Sequence, residues 1–173
     1  LFFMSLKEYN KKRDFSKTKE PSGKIKKSTS KKLNSREQKF KGKVTRRKPI
    51  RLPRYVIQKH QATRLHYDLR LEMNGILVSW AVPKEPPKEK GIKRLAMMTE
   101  DHPIGYEKFH GIIAEGNYGA GKVEIWDKGF YELKIKDEKK IEFFIHGKKL
   151  KGLYVLVKTN FGGNKKSWLL FKI

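Results

Sequence analysis

Residues 55–72 read YVIQKHQATRLHYDLRLE, and this stretch predicts two short β-strands joined by a turn. Successive side chains of a strand point to opposite faces. In a strand over residues 65–72, one face carries apolar side chains and is expected to join a core: Leu65, Tyr67, Leu69 and Leu71. The opposite face carries titratable side chains: His66, Asp68, Arg70 and Glu72. The same strand is therefore predicted to serve both a core and a chemical site.

A preceding strand over residues 54–60 places Gln58 and His60 on one face. The turn that follows would bring His60, His66 and Asp68 together. Two imidazoles and one carboxylate leave coordination positions open for water or substrate, as a catalytic metal requires. Arg70 beside them offers a planar fork of donors that suits phosphate oxygens. The alternative is a solvated polar strand face, but the number of titratable side chains on one face favours a site.

The composition narrows the class of protein. A chain of 173 residues is typical of a single domain with a substantial core. The net charge of +24 indicates a polyanionic partner, with nucleic acid first and an anionic membrane as the alternative. No apolar run approaches the roughly 20 residues of a membrane span, so no membrane association is expected. The absence of cysteine excludes disulfides, thiolate zinc sites and cysteine nucleophiles, and fits a cytoplasmic protein.

The chain is predicted to have three parts: an N-terminal arm (1–20), a basic linker (21–53) and a folded domain (54–173). In the arm, Leu6, Tyr9 and Phe15 are candidates to anchor it on the main body. From Pro21 to Pro49 there are twelve Lys or Arg residues and one acid. Such a segment cannot bury enough apolar surface to offset its chain entropy. We therefore expect a flexible linker that contacts phosphates non-specifically, or else a solubilising tether.

From residue 50 onward, short β-like runs alternate with Gly, Pro and Asn. The candidate strands are 54–60, 65–72, 76–82, 94–99, 122–127, 130–135, 141–146, 152–158 and 167–172. The Asn74-Gly75 pair is typical of a tight hairpin turn. Regular short strands with little helical periodicity predict a mainly β protein, an antiparallel barrel or sandwich with only short helices.

Two connections carry candidate phosphate-handling residues. Lys84 follows the strand that ends at Val82, in the stiff segment PKEPP. His102 and Tyr106 are four residues apart and would share one side of a helical turn within 102–110. Both could donate to phosphate oxygens, and His102 could protonate a leaving group; for Tyr106, a core-edge aromatic is the equal alternative. His110 and His146 stand next to turn glycines and are interpreted as structural.

The segment GNYGAGK at residues 116–122 matches the glycine and lysine spacing of a phosphate-binding P-loop. Val123, however, stands where a Ser or Thr would hold magnesium. The segment also runs into an apparent strand instead of a helix. Tight-turn glycines between strands therefore explain it better than nucleotide binding.

The longer motifs, taken in order, resemble the 3′-phosphoesterase domain of bacterial DNA ligase D, which also occurs in freestanding form. The matching stretches are RDFSKTKEP at 13–21, QKHQATRLHYDLRLE at 58–72, SWAVPK at 79–84, KRLAM at 93–97, EDHPIGY at 100–106, GNYGAG at 116–121 and WDKG at 126–129. The resemblance covers the arm and nearly all of the folded domain.

This resemblance implies a β-barrel-like fold and a manganese-dependent hydrolase, with other divalent transition metals as alternatives. The implied substrates are DNA or RNA–DNA primer-template 3′ ends during break repair by non-homologous end joining. A phosphodiesterase step would remove a terminal ribonucleoside, and a phosphomonoesterase step would convert the remaining 3′-phosphate to a hydroxyl. A monomer that acts alone, or with a DNA ligase supplied in trans, is expected.

The resemblance also assigns roles residue by residue. The implied metal ligands are His60, His66 and Asp68. The implied phosphate-handling and active-site residues are Gln58, Arg70, Lys84, Arg94, His102 and Tyr106. The N-terminal motif contributes Arg13, Asp14 and Glu20.

Two departures from the family pattern stand out. Glu85 replaces the glycine common after the lysine of the WAVPK motif. The long basic linker leaves open how Arg13 and Asp14 reach the site. Two other classes of protein compete with the phosphoesterase: non-haem iron oxygenases, which also use two histidines and a carboxylate, and non-catalytic nucleic-acid-binding barrels. The density of Arg and Lys around the site argues against the oxygenase.

Overall fold

The structure is a computed structural model that describes residues 6–23 and 51–173. Within these residues there is one short α-helix, α1 (Leu6–Lys11), and there are two single-turn 3₁₀ helices, Tyr106–Lys108 and Phe161–Gly163. The ten strands are β1 (Arg54–Gln61), β2 (Leu65–Met73), β3 (Ile76–Val82), β4 (Lys93–Met98), β5 (His102–Pro103), β6 (Gly111–Ile113), β7 (Gly121–Lys136), β8 (Lys140–His146), β9 (Lys151–Lys158) and β10 (Ser167–Lys172).

Eight of these strands close an antiparallel β-barrel in the order β1-β2-β3-β4-β10-β9-β8-β7. The barrel closes because β1 pairs with β2 on one side and with β7 on the other. The two short strands β5 and β6 attach outside this ring, to β3 and β7 respectively. The prediction of a mainly β, barrel-like domain with few short helices is confirmed.

The observed elements refine the sequence predictions in two places. The predicted strands 122–127 and 130–135 form one long strand, β7, which pairs with β1 and then with β8. His102 lies on β5 and not in a helical turn, which begins only at Tyr106. The two-residue hairpin turn is confirmed, because Asn74 and Gly75 both have positive φ, 49° and 80°.

The inside of the barrel is the main core, filled by residues such as Trp80, Trp168 and Phe143. The apolar face of β2 points into it, since Leu69 and Leu71 are almost completely buried. Leu65, at the start of the strand, stays 47% exposed. The predicted alternation of faces therefore holds from Tyr67 onward.

A second, smaller apolar cluster covers the outside of the barrel. It contains Tyr9 of the arm, Tyr106, Phe109 and Ile113, with Leu6 and Phe15 packed against it. This outer layer buries the polar face of β2, so that Asp68 and Arg70 are 7% and 3% exposed. At Asp68 and Arg70 the polar face is therefore enclosed by protein, while His66 and Glu72 on either side of them are partly exposed.

The N-terminal arm docks on the barrel at Tyr9, which is fully buried. The Tyr9 hydroxyl donates to the Pro21 carbonyl at 2.6 Å, and the Gly23 amide donates to the Asn10 side chain at 3.2 Å. The predicted linker lies outside the described residues except at its two ends. Among the described residues, no helix is long and apolar enough to cross a membrane.

Candidate active site

The predicted metal ligands meet where the β1–β2 hairpin turns. His60 and His66 are directly paired across the two strands. Asp68 pairs with Gln58, two residues further along each strand and on the same face. His60 Nδ1 lies 3.8 Å from Asp68 Oδ2, and His66 Nε2 lies 3.6 Å from Asp68 Oδ1. The three ligand atoms all lie within 4.8 Å of one another. Such spacing allows a single cation to contact all three.

Backbone carbonyls fix which ring nitrogen of each histidine is free. His60 Nε2 lies 2.8 Å from the Gly119 carbonyl, and His66 Nδ1 lies 2.8 Å from the Arg64 carbonyl. Because a carbonyl only accepts, the protonated nitrogen of each neutral ring must be the one that faces it. The lone pairs of His60 Nδ1 and His66 Nε2 then face Asp68. Metal-binding histidines are typically oriented in this way.

Arg70 lies next to this triad and is held by three side chains. Its guanidinium donates to Asp68 Oδ2 at 2.9 Å, to Gln58 Oε1 at 2.7 Å and to Ser79 Oγ at 3.0 Å. Gln58 is itself fixed by donating to the Tyr106 and Phe109 carbonyls. Gln58 thus positions Arg70.

Asp68 is held in its charged form by its neighbours. Burial by itself would raise the pKa of Asp68, but the Arg70 guanidinium and the two imidazoles outweigh it and hold the pKa below its usual value. A carboxylate that is already ionised needs no deprotonation to bind a cation.

His102 is buried between two guanidinium groups. Its Nδ1 lies 2.9 Å from Arg70 and 2.9 Å from the Glu100 carbonyl, and its Nε2 lies 3.3 Å from Arg13. Burial and the charges of Arg70 and Arg13 lower the pKa of His102 well below its usual value. The imidazole is therefore neutral near pH 7, which argues against its acting as a proton donor and favours a positioning role.

The arm brings Arg13 to the same place, although Arg13 lies far from β2 in sequence. Arg13 donates to Glu20 at 2.9 Å and to Glu100 at 3.2 Å. Glu20 also accepts a 2.7 Å hydrogen bond from the Tyr106 hydroxyl. Burial raises the pKa of Tyr106 well above its usual value, so the hydroxyl stays protonated and donates to Glu20. Glu20 thereby ties the arm to the 3₁₀ turn.

These groups surround a cavity of about 310 Å³. Seven of the predicted site residues line it: Arg13, His60, His66, Asp68, Arg70, His102 and Tyr106. Gln58 and Glu20 do not line the cavity, but they position residues that do. Gln58 accepts a hydrogen bond from Arg70, and Glu20 accepts hydrogen bonds from Arg13 and Tyr106.

Besides Gln58 and Glu20, three more of the predicted residues do not line this cavity: Asp14, Lys84 and Arg94. Asp14 is exposed and accepts hydrogen bonds from Ser16, and Lys84 is exposed. Arg94 donates to the Glu85 carbonyl, which brings it to the loop that follows Lys84. The roles that the family resemblance assigns to these three residues, like those of the residues that line the cavity, stay predictions. His110 and His146 are exposed and do not line this cavity.

Sequence reasoning missed several residues that shape the site. Glu100 forms ion pairs with both Arg13 and Lys12. In the sequence, only its position two residues before His102 pointed to the site. Ser79 lies behind Arg70, on the strand next to β2. Tyr118 and Gly119 line the cavity from the glycine-rich loop. Through the Gly119 carbonyl, that loop supports His60.

The donor set fits a divalent cation that accepts both nitrogen and oxygen ligands. Two imidazoles and one carboxylate satisfy this, and the absence of cysteine leaves no thiolate to select a soft ion. Manganese and iron both match such a set. The two guanidinium groups of Arg13 and Arg70 favour an anionic ligand in the same cavity.

Comparisons with known proteins agree with this geometry. Residues 58–158 match the model of the DNA Ligase D 3′-phosphoesterase domain. The chain is 41% identical to the multifunctional non-homologous end joining protein LigD of Pseudomonas aeruginosa over 173 residues, which cover 96% of this chain and 18% of that protein.

Two mycobacterial proteins match a shorter part. The LigD of Mycobacterium tuberculosis H37Rv is 49% identical over 110 residues, covering 61% of this chain and 14% of that protein. The LigD of Mycolicibacterium smegmatis is 47% identical over 131 residues, covering 69% and 17%. The chain thus spans less than a fifth of the length of these relatives. Since the family model covers more than half of the chain, and includes all three candidate metal ligands, the chain belongs to the DNA ligase D 3′-phosphoesterase domain family.

Proposed function

We propose that this protein is a divalent-metal-dependent phosphoesterase that trims the 3′ ends of DNA during break repair by non-homologous end joining. The proposed substrates are primer-template ends that carry either a terminal ribonucleoside or a 3′-phosphate. Manganese is the proposed ion. The names of the curated relatives, which refer to non-homologous end joining, support the pathway.

The observation that carries this proposal is the meeting of a cation site and two guanidinium groups in one cavity. His60, His66 and Asp68 present three ligand atoms within 4.8 Å. Arg70 lies 2.9 Å from the same Asp68 that would bind the cation. A phosphate ester is the simplest ligand that engages a metal and planar cationic donors at once.

When bound at His60, His66 and Asp68, a divalent ion supplies Lewis-acid polarisation of the phosphoryl group and lowers the pKa of a water ligand. Arg70 and Arg13 would orient the phosphoryl oxygens and balance the negative charge that builds on them. His102, as a neutral imidazole between these two cations, keeps them apart and positioned.

Attack by water is the proposed chemistry, because no suitable side-chain nucleophile lines the cavity in the described part of the chain. The lining contains no serine, and the nearby Ser79 is completely buried and already bonded to Arg70 and to the Leu77 carbonyl. Thr99 does line the cavity, but no basic side chain is hydrogen-bonded to it there. The Ser79 hydroxyl does lie 3.4 Å from His102 Nδ1, but its proton is donated to the Leu77 carbonyl, so this contact does not activate it as a nucleophile.

The deciding experiment uses two labelled primer-templates, one ending in a single ribonucleotide and one ending in a 3′-phosphate. Each is incubated with the protein in manganese or in a chelator. We expect manganese-dependent shortening of the first to a 3′-phosphate end and conversion of the second to a 3′-hydroxyl. The His66→Ala variant should lose both activities by orders of magnitude while it still binds the DNA.

His110→Ala is a matched control. His110 and His66 each place Nδ1 near the carbonyl two residues earlier, at 3.0 Å and 2.8 Å. Only His66 points Nε2 at Asp68, so His110→Ala should keep full activity. If wild-type protein binds both substrates and turns over neither, the barrel is a DNA-binding module. Turnover only with iron and an oxidisable co-substrate would point instead to an oxygenase.

A further inference from the structure

Tyr118 stands apart from the other tyrosines at the site. It lies in the loop between β6 and β7, lines the cavity and is 52% exposed. Tyr9 and Tyr106, which contact each other near the same cavity, are 0% and 2% exposed. Burial in the outer apolar cluster explains those two residues, but it does not explain an aromatic ring held half in solvent at the cavity wall.

The position of Tyr118 is fixed relative to the candidate metal ligands. The next residue, Gly119, accepts a hydrogen bond from His60 through its carbonyl. Gly119 has a φ of +75°, which disfavours other residues there. This contact holds the loop backbone next to Tyr118 against His60.

Two cations of the arm face the Tyr118 ring. Lys12 Nζ lies 4.6 Å from the ring centroid, and Arg13 Cζ lies 5.8 Å from it. Lys12 is in turn paired with Glu100 at 3.1 Å. These contacts orient the ring from the side of the arm, while about half of the residue's surface stays open.

The cavity also has more room than a phosphate needs. Its volume of about 310 Å³ corresponds to about ten waters at the roughly 30 Å³ that each occupies in the liquid. Part of the lining is apolar, namely Ala62, Ile113 and Tyr118. Such surface suits a sugar and a base, and base–aromatic stacking tolerates any nucleobase.

We propose that Tyr118, oriented by Lys12, forms a stacking subsite for a nucleobase that flanks the phosphate bound at Arg70 and the metal ligands. The proposal deepens the proposed function, on which it rests, by adding a nucleoside to the recognised group. The subsite takes any base, because a ring face carries no hydrogen-bond code, and it favours nucleotide ends over simple phosphate esters.

The test is a binding experiment in a chelator, so that it does not depend on turnover. Fluorescence anisotropy measures the affinity for labelled primer-templates that end in a 3′-phosphate or in a ribonucleoside. Each primer-template is compared with matched ligands that carry one abasic sugar. The abasic sugar replaces the nucleoside on one side of the phosphate or the nucleoside on its other side. The variants are Tyr118→Ala, Tyr118→Phe and, as a control, Phe161→Ala. Phe161 is 69% exposed in the 3₁₀ turn after β9 and does not line the cavity.

We expect Tyr118→Ala to weaken binding of the base-containing ligands by about 5- to 150-fold, the range that one stacked base supplies. At the position that contacts Tyr118, the abasic ligand should lose less than about twofold, since the partner of the ring is already missing. Tyr118→Phe keeps the ring and should stay close to wild type, as should Phe161→Ala. Manganese affinity, measured by calorimetry, should be unchanged in all three variants.

The subsite would be overturned if Tyr118→Ala weakened binding of the base-containing and the abasic ligands equally, whichever base is missing. Tyr118 would then act only in support of the loop. An unchanged affinity in Tyr118→Ala would overturn the subsite as well. The two proposals can fail separately. If the protein turns over its substrates but the Tyr118→Ala loss does not depend on the base, only the subsite is disproved. If the loss depends on the base but no substrate is turned over, the subsite stands and the phosphoesterase is disproved.

Discussion

At the scale of single residues, backbone carbonyls decide the chemistry of the candidate metal site. Gly119 and Arg64 each face one ring nitrogen of a histidine and leave the other free toward Asp68. A histidine on a strand face has two nitrogens of similar basicity, and only its surroundings select between them. The ligand set is thus organised before any cation binds.

A metal-dependent gain in stability should therefore depend on His66. A ligand that binds only the folded state, at 100 times its dissociation constant, adds about 2.7 kcal/mol, or about 5–10 °C in Tm for a chain of this length. We expect manganese to produce such a shift in the wild type and in His110→Ala, but not in His66→Ala. Thermal denaturation followed by circular dichroism measures it. A full shift in His66→Ala would exclude His66 as a ligand.

Asp101 predicts a dependence of stability on pH. It is fully buried, and neither carboxylate oxygen has a hydrogen-bond partner within the described residues. Burial, with the charges of Glu100 and Glu8, raises its pKa to about 7. Between the unfolded value near 4 and this value, the folded state binds more protons than the unfolded chain. The contribution of this group to stability therefore falls as the pH rises through that window, and levels off above about pH 7.

The Asp101→Asn variant removes this titration. We expect it to be more stable than the wild type at about pH 8, with the difference shrinking toward about pH 4, below which Asp101 becomes protonated in both states. Urea denaturation across this pH range measures the difference. A difference that is independent of pH would contradict the assigned pKa.

At the scale of elements, the arm completes the site. It supplies Arg13 to the cavity, and Glu20 links that arginine to Tyr106. The aromatic ring of Tyr9 packs against His102 at 5.0 Å and against Tyr106 at 6.0 Å between ring centroids. Docking of the arm therefore depends on one buried ring as well as on the charged contacts.

Tyr9→Ala should release the arm. Loss of a buried aromatic side chain costs about 3–5 kcal/mol, so trypsin cleavage after Arg13, whose side chain is buried in the docked arm, should accelerate by more than about 100-fold. Mass spectrometry of timed digests measures this rate. Lys17→Ala, at an exposed position of the same arm, should leave it unchanged. Equal protection of Arg13 in Tyr9→Ala would show that the ion pairs alone hold the arm.

At the scale of the whole molecule, the net charge of +24 is the dominant feature. Charge of this size drives binding to nucleic acid by counterion release, and such binding weakens steeply with salt. The contribution is independent of DNA sequence. Under the proposed function, it concentrates the protein on DNA without choosing an end, and selection of the 3′ end is left to the cavity.

Salt titrations test this division. We expect the logarithm of DNA affinity to fall linearly with the logarithm of salt concentration, with a slope of about −0.9 for each phosphate neutralised. Replacing Lys24, Lys26 and Lys27 by Gln should make the slope shallower, by about 0.9 for each phosphate that these lysines neutralise in the wild type. The ratio of affinities between 3′-phosphate and 3′-hydroxyl ends should stay constant. An unchanged slope would place the phosphate-binding cations elsewhere on the chain.

Local sequence patterns determined much of this protein. The strands of the barrel, the two-residue turn at Asn74-Gly75 and the shared face of His60, His66 and Asp68 all follow from residues close together in the chain. Alternation along a strand and the turn chemistry of Asn-Gly are local properties. For that reason the clustering of these three candidate ligands could be predicted before the fold was known.

Only the tertiary structure decided the rest. The contacts of Arg13 with Glu100 and His102, and of Glu20 with Tyr106, join residues 86–89 positions apart. The carbonyl that orients His60 comes from Gly119, a backbone group without a side-chain signal. Local periodicity shows which side chains share a face, but not which distant segment covers that face. Burial of the polar face, which lowers the pKa of His102 and encloses the cavity, arises only when the arm and the 99–123 segment pack on the barrel.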